Sequence, residues 1–389
     1  MGSHGDEVMR IAVNASLLDE KPGGLGVYTE NVLRELSHLM GEKHRYTIYT
    51  SYRDNLARSC SNQTRFRDTP KFLQPKFGEK AALARFAWSL LILPRLVRDD
   101  DLLYSPTHHG VLFGGVDQII TVHDVLPLKF PSQYRLQHYY FKVALPRLAN
   151  RSAAIVTDSE STRQDLHRHL GIPFERIHVI HPGVDQRFQA AASHLRNKTA
   201  SDRHALKEFF LIVGASYPHK NISRALQAFR TLQAELPHFK LIIAGGRPPY
   251  HERLKREARQ LGATNITFLN YVSTSQLASL YGTARALLYP SLYEGFGLPP
   301  LEAMMCGCPV IAGNTSSVPE VCGDAAYYVD PSKEESLAKT MLLLATDEDA
   351  GRLLREKGWQ RVQSFSWERT ARQIYGVLEN VYRRRRGSA

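Results

Sequence analysis

Two glutamates stand eight residues apart within residues 290–304, and their surroundings favour a site for an anionic, hydroxyl-rich ligand. Glu294 lies in a glycine-rich loop after a predicted strand, and Glu302 lies two turns into the predicted helix that follows. Glycines around Glu294 expose backbone N–H groups at a helix start, which suits phosphate and sugar hydroxyls. The Glu302 carboxylate can accept hydrogen bonds from a ribose diol. Because Glu302 neighbours Met304 and Met305, a role as a plain surface charge is disfavoured: an unpaired carboxylate among apolar side chains is costly.

A lysine stands at a second strand-to-helix junction, in the run Gly-Ala-Ser-Tyr-Pro-His-Lys-Asn of residues 214–221. Lys220 near the helix N-terminus would place an ammonium beside free amide donors, an arrangement suited to a diphosphate. Cations are mildly disfavoured at helix N-termini, so we expect an anion to compensate for Lys220. The alternative is that Lys220 is a solvated residue at the helix start.

The turn Pro-Gly-Gly-Leu-Gly at residues 22–26 also joins a predicted strand to a predicted helix. The missing side chains would allow backbone N–H groups to approach an anion or a hydroxyl. The turn lacks the complete dinucleotide fingerprint, and the second predicted strand leads into Ser-Tyr-Arg rather than into an acidic residue. These departures argue against a nicotinamide cofactor.

Histidines and cysteines are the remaining candidates for acid–base or metal chemistry. His123 ends an apolar strand, where α/β sheets bind ligands, and the adjacent Asp124 offers it a polar partner. We therefore expect His123 to be functional, and we interpret His108 and His109 as structural. The four cysteines have no spacing typical of a zinc site or a disulfide framework, so we expect buried thiols and no metal.

These residues lie among short β-branched runs that alternate with helical stretches, a pattern typical of doubly wound α/β architecture. Two such series occur, separated by a polar stretch without apolar periodicity, and 389 residues suffice for two domains. We predict a first Rossmann-like domain over residues 9–189, a linker over 190–207, a second Rossmann-like domain over 208–365 and a C-terminal helix over 366–386.

The charge distribution indicates an anionic partner. The formal net charge is +12, and residues 43–98 carry twelve Lys and Arg against three acidic residues, a local net charge of +9. Such a face attracts anionic lipid head groups, nucleic acid or a phosphorylated substrate. No apolar run approaches the length of a membrane span and no signal peptide is recognisable, so we expect a cytoplasmic protein.

The spacing of Glu294 and Glu302 resembles the Glu-x7-Glu motif of glycosyltransferase family 4, whose members are retaining enzymes of the GT-B fold. The resemblance is nearest to the mannosyltransferase-B-like branch of O-antigen and exopolysaccharide synthesis. It implies two Rossmann-like domains facing a cleft, the first for the acceptor and the second for the nucleotide sugar, with the C-terminal helix crossing back to the first domain. The motifs that carry it stand in the family's order at residues 22–26, 122–127, 214–221, 290–304, 318–321 and 365–368.

The resemblance also implies a role for each candidate residue. His123 would contact the transferred sugar, Lys220 would bind the diphosphate, and Glu302 would bind the ribose. Glu294 would hold the sugar hydroxyls. Catalysis would therefore rest on His123, Lys220 and Glu294. The residues whose backbone would border the donor are Gly23, Gly24, Gly26 and Gly214, together with Gly295, Phe296, Gly297 and Leu298.

The cationic residues depart from the family pattern. Family members commonly have arginine before the motif lysine, and other branches have arginine just after the glycine, whereas this chain has His219 and Ala215. We therefore expect Lys220 to carry most of the cationic load, with help from Arg224 one turn further along.

The implied function is a retaining hexosyltransferase that needs no metal or other cofactor. No Asp-x-Asp motif stands out, and Lys220 with helix N-terminal amides can neutralise a leaving diphosphate. GDP-mannose is the expected donor, with a rhamnosyl or other hexosyl donor as the alternative. The expected acceptor is a saccharide or a polyprenyl-diphosphate-linked saccharide of bacterial polysaccharide synthesis, and no nucleic acid partner is expected.

Two functions of other classes remain open. One is an NAD-dependent oxidoreductase, and the other is a non-catalytic nucleotide-sugar-binding protein. A sensor would not need to retain His123, Lys220 and Glu294 together, so their joint presence favours catalysis.

An apolar, helix-like segment at residues 79–98 has two interpretations. It is either a core helix of the first domain, kinked near Pro94, or a surface helix that lies on an anionic bilayer at the inner face of the cytoplasmic membrane and admits a lipid-linked acceptor. In the second interpretation the cations at its edges face the lipid; these are Lys80, Arg85, Arg95 and Arg98.

Overall fold

The computed structural model describes residues 8–20, 23–41, 43–189, 208–246 and 248–387, and the chain forms two compact units. The first unit contains the described residues up to Gly183 and those from Trp367 onwards, and the second is Val184–Ser366. The predicted linker, residues 190–207, lies outside the described residues. Val184 and Phe188 are buried in a core of the second unit, so this unit begins before the predicted end of the first domain at residue 189.

The first unit is built on a parallel sheet. Its strands are β1 (Arg10–Asn14), β2 (Arg45–Thr50), β3 (Arg65–Asp68), β4 (Leu102–Ser105), β5 (Asp117–Thr121), β6 (Ala154–Thr157) and β7 (Ile177–Val179). In the described residues they pair in the order β3-β2-β1-β4-β5-β6-β7, every pair parallel. Strands β4 and β6 bury every residue, as expected of a parallel sheet covered on both faces.

Helices connect these strands. They are α1 (Gly24–Met40), α2 (Arg53–Ser59), α3 (Gly78–Leu91), α4 (Leu93–Leu96), α5 (Leu126–Lys129), α6 (Arg135–Tyr139), α7 (Leu145–Arg151) and α8 (Glu160–Leu170), with a π-helical turn at Tyr140–Ala144. The predicted kink near Pro94 is confirmed, because α3 ends at Leu91 and α4 begins at Leu93. A proline ring clashes with the carbonyl four residues earlier and donates no hydrogen bond, so the helix breaks there.

The second unit has the same kind of architecture. Its strands are β8 (Phe209–Ala215), β9 (Lys240–Gly246), β10 (Ile266–Leu269), β11 (Ala286–Tyr289), β12 (Val310–Gly313) and β13 (Tyr327–Val329). They form a parallel sheet in the order β10-β9-β8-β11-β12-β13. Its helices are α9 (Ile222–Glu235), α10 (Pro248–Gln260), α11 (Thr274–Thr283), α12 (Leu298–Met305), α13 (Val318–Cys322), α14 (Glu334–Thr346) and α15 (Glu348–Val362). The prediction of two doubly wound α/β domains is confirmed.

In each sheet the strand order reverses beside the first strand of the unit. Strand β1 lies between β2 and β4, and β8 lies between β9 and β11. At such a reversal the connections leave in opposite directions, which opens a crevice at the carboxyl ends of the strands. The predicted glycine turn follows β1, Lys220 follows β8 and Glu294 follows β11, so the motifs found in the sequence stand where an α/β sheet binds ligands.

The last helix, α16 (Trp367–Gly387), belongs to the first unit, where it packs on α1. Thr370 donates to the carbonyl of His181 at 2.7 Å, and Arg385 donates to the carbonyl of Asp101 at 2.7 Å. Arg385, one of four consecutive arginines at residues 383–386, therefore helps to anchor this helix. The buried stripe recurs every three or four residues: Trp367, Thr370, Ala371, Ile374, Val377, Leu378, Val381 and Tyr382.

Two further observations concern the state of the cysteines and the presence of membrane-spanning helices. The four cysteines are free and buried, which confirms their interpretation as buried thiols. Among the helices of the described residues, none is both long and apolar enough to cross a membrane.

We predict that the packing of α16 contributes directly to the stability of the first unit. Ile374 is fully buried, so Ile374→Ala should lower the free energy of unfolding by about 2–5 kcal/mol through lost burial and a residual cavity. Urea denaturation measures this change. Arg372→Ala on the same helix, whose ion pair with Glu368 is exposed, is the control and should change it by no more than about 0.5 kcal/mol. Equal effects of both substitutions would contradict the packing role.

Candidate active site

Lys220 and Glu294 meet at the strand reversal of the second sheet. The ammonium nitrogen of Lys220 lies 2.7 Å from Oε1 and 2.8 Å from Oε2 of Glu294, and it stands 5.4 Å from the centre of the Tyr289 ring. The two side chains are 20% and 9% exposed, so the pair is largely withdrawn from water. The anion expected to compensate for Lys220 is therefore present within the protein, 74 residues away in sequence.

The charge state of Glu294 depends on this contact. Burial alone would raise the pKa of the Glu294 carboxyl. The charge of Lys220 and the hydrogen bonds from its ammonium lower the pKa by more than burial raises it, so the pKa lies below the ordinary value. Glu294 is thus an ionised carboxylate at neutral pH, able to accept hydrogen bonds from ligand hydroxyls. The ammonium has three N–H donors, and Glu294 does not use all of them.

The loop that carries Glu294 is held by hydroxyl side chains after β12. Ser316 Oγ accepts from the Glu294 amide at 2.8 Å, and Ser317 Oγ donates to the carbonyls of Glu294 at 3.0 Å and Phe296 at 2.7 Å. Thr315 donates to the carbonyl of Ser291 at 2.8 Å. Ser316 has a φ of 47°, an uncommon conformation for a non-glycine residue. Spacing in the sequence did not indicate a role for these residues, although they directly precede the motif at residues 318–321.

The amides predicted to face a donor lie in this loop and at the start of α12. Gly297 caps the helix with a φ of 119°, which glycine tolerates best. The helix then begins with Leu298 followed by Pro299 and Pro300. Prolines have no N–H, so donors at this helix start are concentrated in Gly295–Leu298. Among these residues Phe296 contributes only its backbone, since its ring is buried 5.9 Å from that of Phe365.

Residues 214–219, which lead from the end of β8 to Lys220, add no second positive charge beside it. Gly214 lies within β8, one residue before its end, and has a φ of 83°, a conformation that favours glycine. His219 is buried and stacks on Tyr217 at 5.6 Å. Burial lowers the pKa of His219 to about 4, although the Glu294 charge opposes the shift. His219 is therefore neutral and does not replace the charge of the family's arginine.

Arg224 does not join the Lys220–Glu294 pair. It lies in the first turn of α9 and donates to Gln227 at 3.1 Å. In the part of the chain that the structure describes, its guanidinium forms no ion pair with Glu294. The assistance of Arg224 to Lys220 at a diphosphate stays a prediction, and in this structure the Arg224 side chain bonds within its own helix.

Glu302 occupies a different electrostatic environment from Glu294. Tyr281 donates to its Oε2 at 3.1 Å, and no lysine or arginine of the described residues forms an ion pair with it. Burial raises the pKa of Glu302 to about 7; the Tyr281 hydrogen bond lowers it, and the nearby charge of Asp185 raises it. The sequence did not reveal Tyr281 or Asp185 as neighbours, because both are distant along the chain.

In the first unit, the predicted glycine turn lies at the start of α1. Gly23 caps this helix with extended backbone and no side-chain cap, and Gly26 is buried in its first turn. Nothing lies within 4 Å of where a Cβ would stand at Gly23 or Gly24. The backbone at this helix start is therefore accessible, as anion or hydroxyl binding requires. Pro22 lies outside the described residues.

His123 is buried just beyond β5, with both ring nitrogens engaged. Its Nδ1 lies 2.6 Å from Oδ2 of Asp158, and its Nε2 lies 2.9 Å from the carbonyl oxygen of Pro106. Burial lowers the pKa of His123, but the charge of Asp158 and both hydrogen bonds raise it more, so the pKa lies above the ordinary value. The edge of Tyr28 packs 4.5 Å from the imidazole.

The predicted partnership of His123 with Asp124 is corrected. Asp158, after β6, provides the carboxylate at Nδ1, whereas Asp124 Oδ1 accepts from the Leu126 amide at 2.8 Å at the start of α5. Strand pairing between β5 and β6 brings Asp158 beside His123, which local spacing could not indicate. His108 and His109 are partly buried, and burial lowers the pKa of both; their interpretation as structural stays a prediction. In the described residues, no group of three or more His, Cys, Asp and Glu is placed to hold a metal ion.

Comparison with known proteins identifies the family. The model described as "Glycosyltransferase Family 4" matches residues 22–188, and that described as "Glycosyl transferases group 1" matches residues 196–361. The O-antigen chain mannosyltransferase RfbU of Salmonella typhimurium is 33% identical over 60% of this chain and 62% of its own length. O-antigen chain mannosyltransferase B of Escherichia coli is 29% identical over 67% of this chain and 70% of its own length.

Solved structures share the fold. WaaG, a glycosyltransferase involved in lipopolysaccharide biosynthesis, matches with a TM-score of 0.70 at 16% identity over 94% of this chain and 99% of that chain. Anabaena Alr3699/HepE in complex with UDP and glucose matches with a TM-score of 0.70 at 18% identity over 96% of this chain and 100% of that chain. Two Rossmann-like parallel sheets and the match to these structures define a protein of the GT-B fold. The chain belongs to glycosyltransferase family 4, in the branch similar to the O-antigen mannosyltransferases.

We predict that nucleotide-sugar binding depends on the ionisation of Glu302. Accepting from both hydroxyls of a ribose diol uses both carboxylate oxygens, and protonation turns one of them into a donor. A carboxyl with a pKa of about 7 is mostly protonated at pH 6. Affinity for a nucleotide sugar should therefore fall about tenfold between pH 8 and pH 6 in calorimetry. A nucleotide sugar is the right probe, because a free terminal phosphate itself titrates near pH 6.

Glu302→Gln should bind more weakly and lose this dependence on pH. The exposed Glu356 of the same unit gives the matched control Glu356→Gln, which should behave as the unaltered protein. An affinity that stays constant from pH 6 to pH 8 in the unaltered protein would contradict the placement of Glu302 at the ribose.

Proposed function

We propose that this protein transfers a hexose from a nucleotide diphosphate sugar to a saccharide acceptor, with retention at the anomeric carbon and without a metal ion. The observation that carries the proposal is the Lys220–Glu294 pair at the strand reversal of the second sheet. It combines a cation for a diphosphate with an ionised acceptor for sugar hydroxyls in a single site. GDP-mannose is our first donor, because the relatives in this branch are named mannosyltransferases.

In the proposed mechanism, Glu294 and Glu302 bind different parts of the nucleotide sugar. Lys220 donates its remaining N–H to the diphosphate while it keeps contact with Glu294, and Glu294 accepts from hydroxyls of the transferred sugar. Glu302 accepts from the ribose. Charge that develops on the leaving diphosphate is stabilised by Lys220 and by the amides of Gly295–Leu298. Stabilisation thus acts where charge increases in the transition state.

The binding partner of the second unit can be found by thermal shift. A panel of nucleoside diphosphates and nucleotide sugars with different bases and sugars is added at about 100 times the dissociation constant, where a true ligand stabilises by about 2.7 kcal/mol. A GDP-mannose response together with mannosyl transfer supports the first donor, and a dTDP-rhamnose or UDP-hexose response replaces it. Stabilisation by NAD alone would reject the transferase in favour of a dinucleotide enzyme.

We predict that Lys220→Ala lowers donor affinity about ten- to hundredfold, because a hydrogen bond to a charged group contributes about 1.5–3 kcal/mol. Calorimetry measures the affinity, and a melting curve shows that the variant is folded at the temperature used. The variant should also melt earlier, since Glu294 is left buried without its cation. Lys255→Ala is the matched control, since it removes a lysine that pairs with Glu252 on the surface of the same unit. Unchanged donor affinity in Lys220→Ala would contradict the diphosphate assignment.

We also propose that the first unit attaches peripherally to the inner face of the cytoplasmic membrane and takes a polyprenyl-diphosphate-linked saccharide there. Helix α3 buries Ala81, Arg85 and Trp88 on one face, and exposes Leu83 and Leu91 on the other. Both interpretations of residues 79–98 therefore have support, since the same helix contributes to the core and presents an apolar surface. Exposed apolar residues nearby are Phe72, Phe77, Ile92, Leu96 and Phe113.

The cations around this surface differ from the predicted set in one residue. Arg85 is buried and donates to the carbonyl of Leu73, so the expectation that it faces lipid is wrong. Lys80, Arg95 and Arg98 are exposed and remain as candidates for anionic head groups.

We predict that changing Lys80, Arg95 and Arg98 together to Gln weakens binding to anionic vesicles about hundredfold at low salt, because each cation near such a surface contributes about 1 kcal/mol. Sedimentation with vesicles of increasing anionic lipid content measures the effect. The matched control changes Lys333, Lys339 and Arg352, exposed cations of the second unit, to Gln with the same loss of charge. Equal weakening by both triple variants would reject this surface, and binding indifferent to lipid charge and salt would reject membrane attachment.

A further inference from the structure

The hydrogen bonds of His123 determine where its protons are. The Pro106 carbonyl can only accept, and an ionised Asp158 carboxylate can only accept, yet they lie at the two ring nitrogens at 2.9 Å and 2.6 Å. Satisfying both contacts requires two N–H donors on the ring, or a proton on Asp158. A carboxyl is ordinarily the stronger acid by about two to three pH units, so the ring holds the proton.

The surroundings of the ring agree with a single buried cation. Tyr28 on α1 and His108 after β4 face it as neutral groups, because burial raises the pKa of Tyr28 and lowers that of His108. The charge of Asp124 favours the protonated ring as well. Asp158 Oδ1 is buried and has no hydrogen-bond partner among the described residues, so the imidazolium is what offsets this carboxylate.

Asp158 is itself held in place by the start of α8. The next residue, Ser159, caps this helix by accepting from the Thr162 amide at 3.1 Å, and Thr162 Oγ1 donates to the backbone carbonyl of His123 at 3.3 Å. Asp158 therefore stands at a helix N-terminus, where a negative charge is favoured. The same helix turn fixes both the carboxylate and the backbone of the histidine it contacts.

We propose that Asp158 is a positioning residue that holds His123 as a hydrogen-bond donor at both ring nitrogens and thereby prevents His123 from acting as a general base. This inference rests on the proposed transferase function. An imidazolium with two N–H groups has no lone pair to accept the proton of an acceptor hydroxyl.

The proton must then leave by another route. As the acceptor oxygen forms its bond to the anomeric carbon and the bond to the diphosphate oxygen breaks, the hydroxyl proton passes to the departing phosphate oxygen. The pair of electrons from the broken C–O bond stays on that oxygen, which accepts the proton. No base from the protein is required, and charge is conserved in the step.

The direct test is the protonation of His123 in the unaltered protein. Nitrogen-15 NMR of histidine-labelled protein, with His123→Gln to assign the signal among the 16 histidines, should show both ring N–H groups well above pH 6.5. A ring that titrates at or below its ordinary pKa overturns the proposal. This measurement does not depend on catalysis, so it tests the protonation of His123 independently of the proposed transferase function. The transferase function itself fails if the unaltered protein transfers no sugar from any nucleotide sugar.

Kinetics then test the positioning role. Asp158→Asn should lower kcat about ten- to hundredfold, the size expected for the loss of a hydrogen bond to a charged group, with little change in the KM for the donor. Its activity should rise as the pH is lowered through the new, lower pKa of the ring, because protonation then restores the second N–H. Asp158→Glu, which keeps the charge, should recover part of kcat. A loss of the same size at every pH, unimproved in Asp158→Glu, would show that Asp158 is merely structural and would overturn the proposal.

The control is another buried aspartate of the first unit. Asp165 on α8 lies 3.0 Å from Lys129 and does not face His123, so Asp165→Asn should keep the pH profile of the unaltered protein. If Asp158→Asn does not fold, the titration of the unaltered protein decides alone.

Discussion

The ion pair of Lys220 and Glu294 is the contact on which the second unit's site depends. Each residue lies in a loop after a different strand, and the two strands are neighbours only because the sheet reverses its order between them. Withdrawing either charge from water alone would be unfavourable, and the Lys220 ammonium keeps the Glu294 carboxylate ionised. The hydroxyls of residues 315–317 then hold the loop that carries the carboxylate.

Two carboxyls only eight residues apart are in contrasting states. Glu294 has a lysine within hydrogen-bond distance and remains ionised, whereas Glu302 has a tyrosine hydroxyl and a pKa of about 7. Burial acts on both in the same direction, so the difference comes from the presence or absence of a cation. In the proposed function, a permanently charged Glu294 would suit sugar hydroxyls, and a Glu302 with a pKa of about 7 would make nucleotide binding depend on pH.

In the first unit, the candidate residue His123 is held by a different means. His123 is surrounded by buried aromatic groups and receives its charge partner from the adjacent strand. Tyr28 lies between His123 and Trp367, with its ring 4.5 Å from the imidazole and 5.8 Å from the indole. The C-terminal helix therefore supports the surroundings of His123, which gives the aromatic motif at residues 365–368 a physical role. Phe365 packs in the second unit and Trp367 in the first, so the chain passes between the units within this motif.

The sequence by itself determined the two α/β units, the turns at their strand ends and most of the residues gathered there. Strand and helix periodicity and glycine-rich turns are local signals, and a parallel sheet brings its strand ends to one edge whatever the strand order. Only the tertiary structure decided which of these residues touch. The pairing of Lys220 with Glu294 spans 74 residues and that of His123 with Asp158 spans 35, and both depend on which strands are neighbours. The burial of Arg85 and the separation of Arg224 from the ion pair were likewise decided by packing, because a side chain's spacing in sequence does not specify which face its helix turns toward the core.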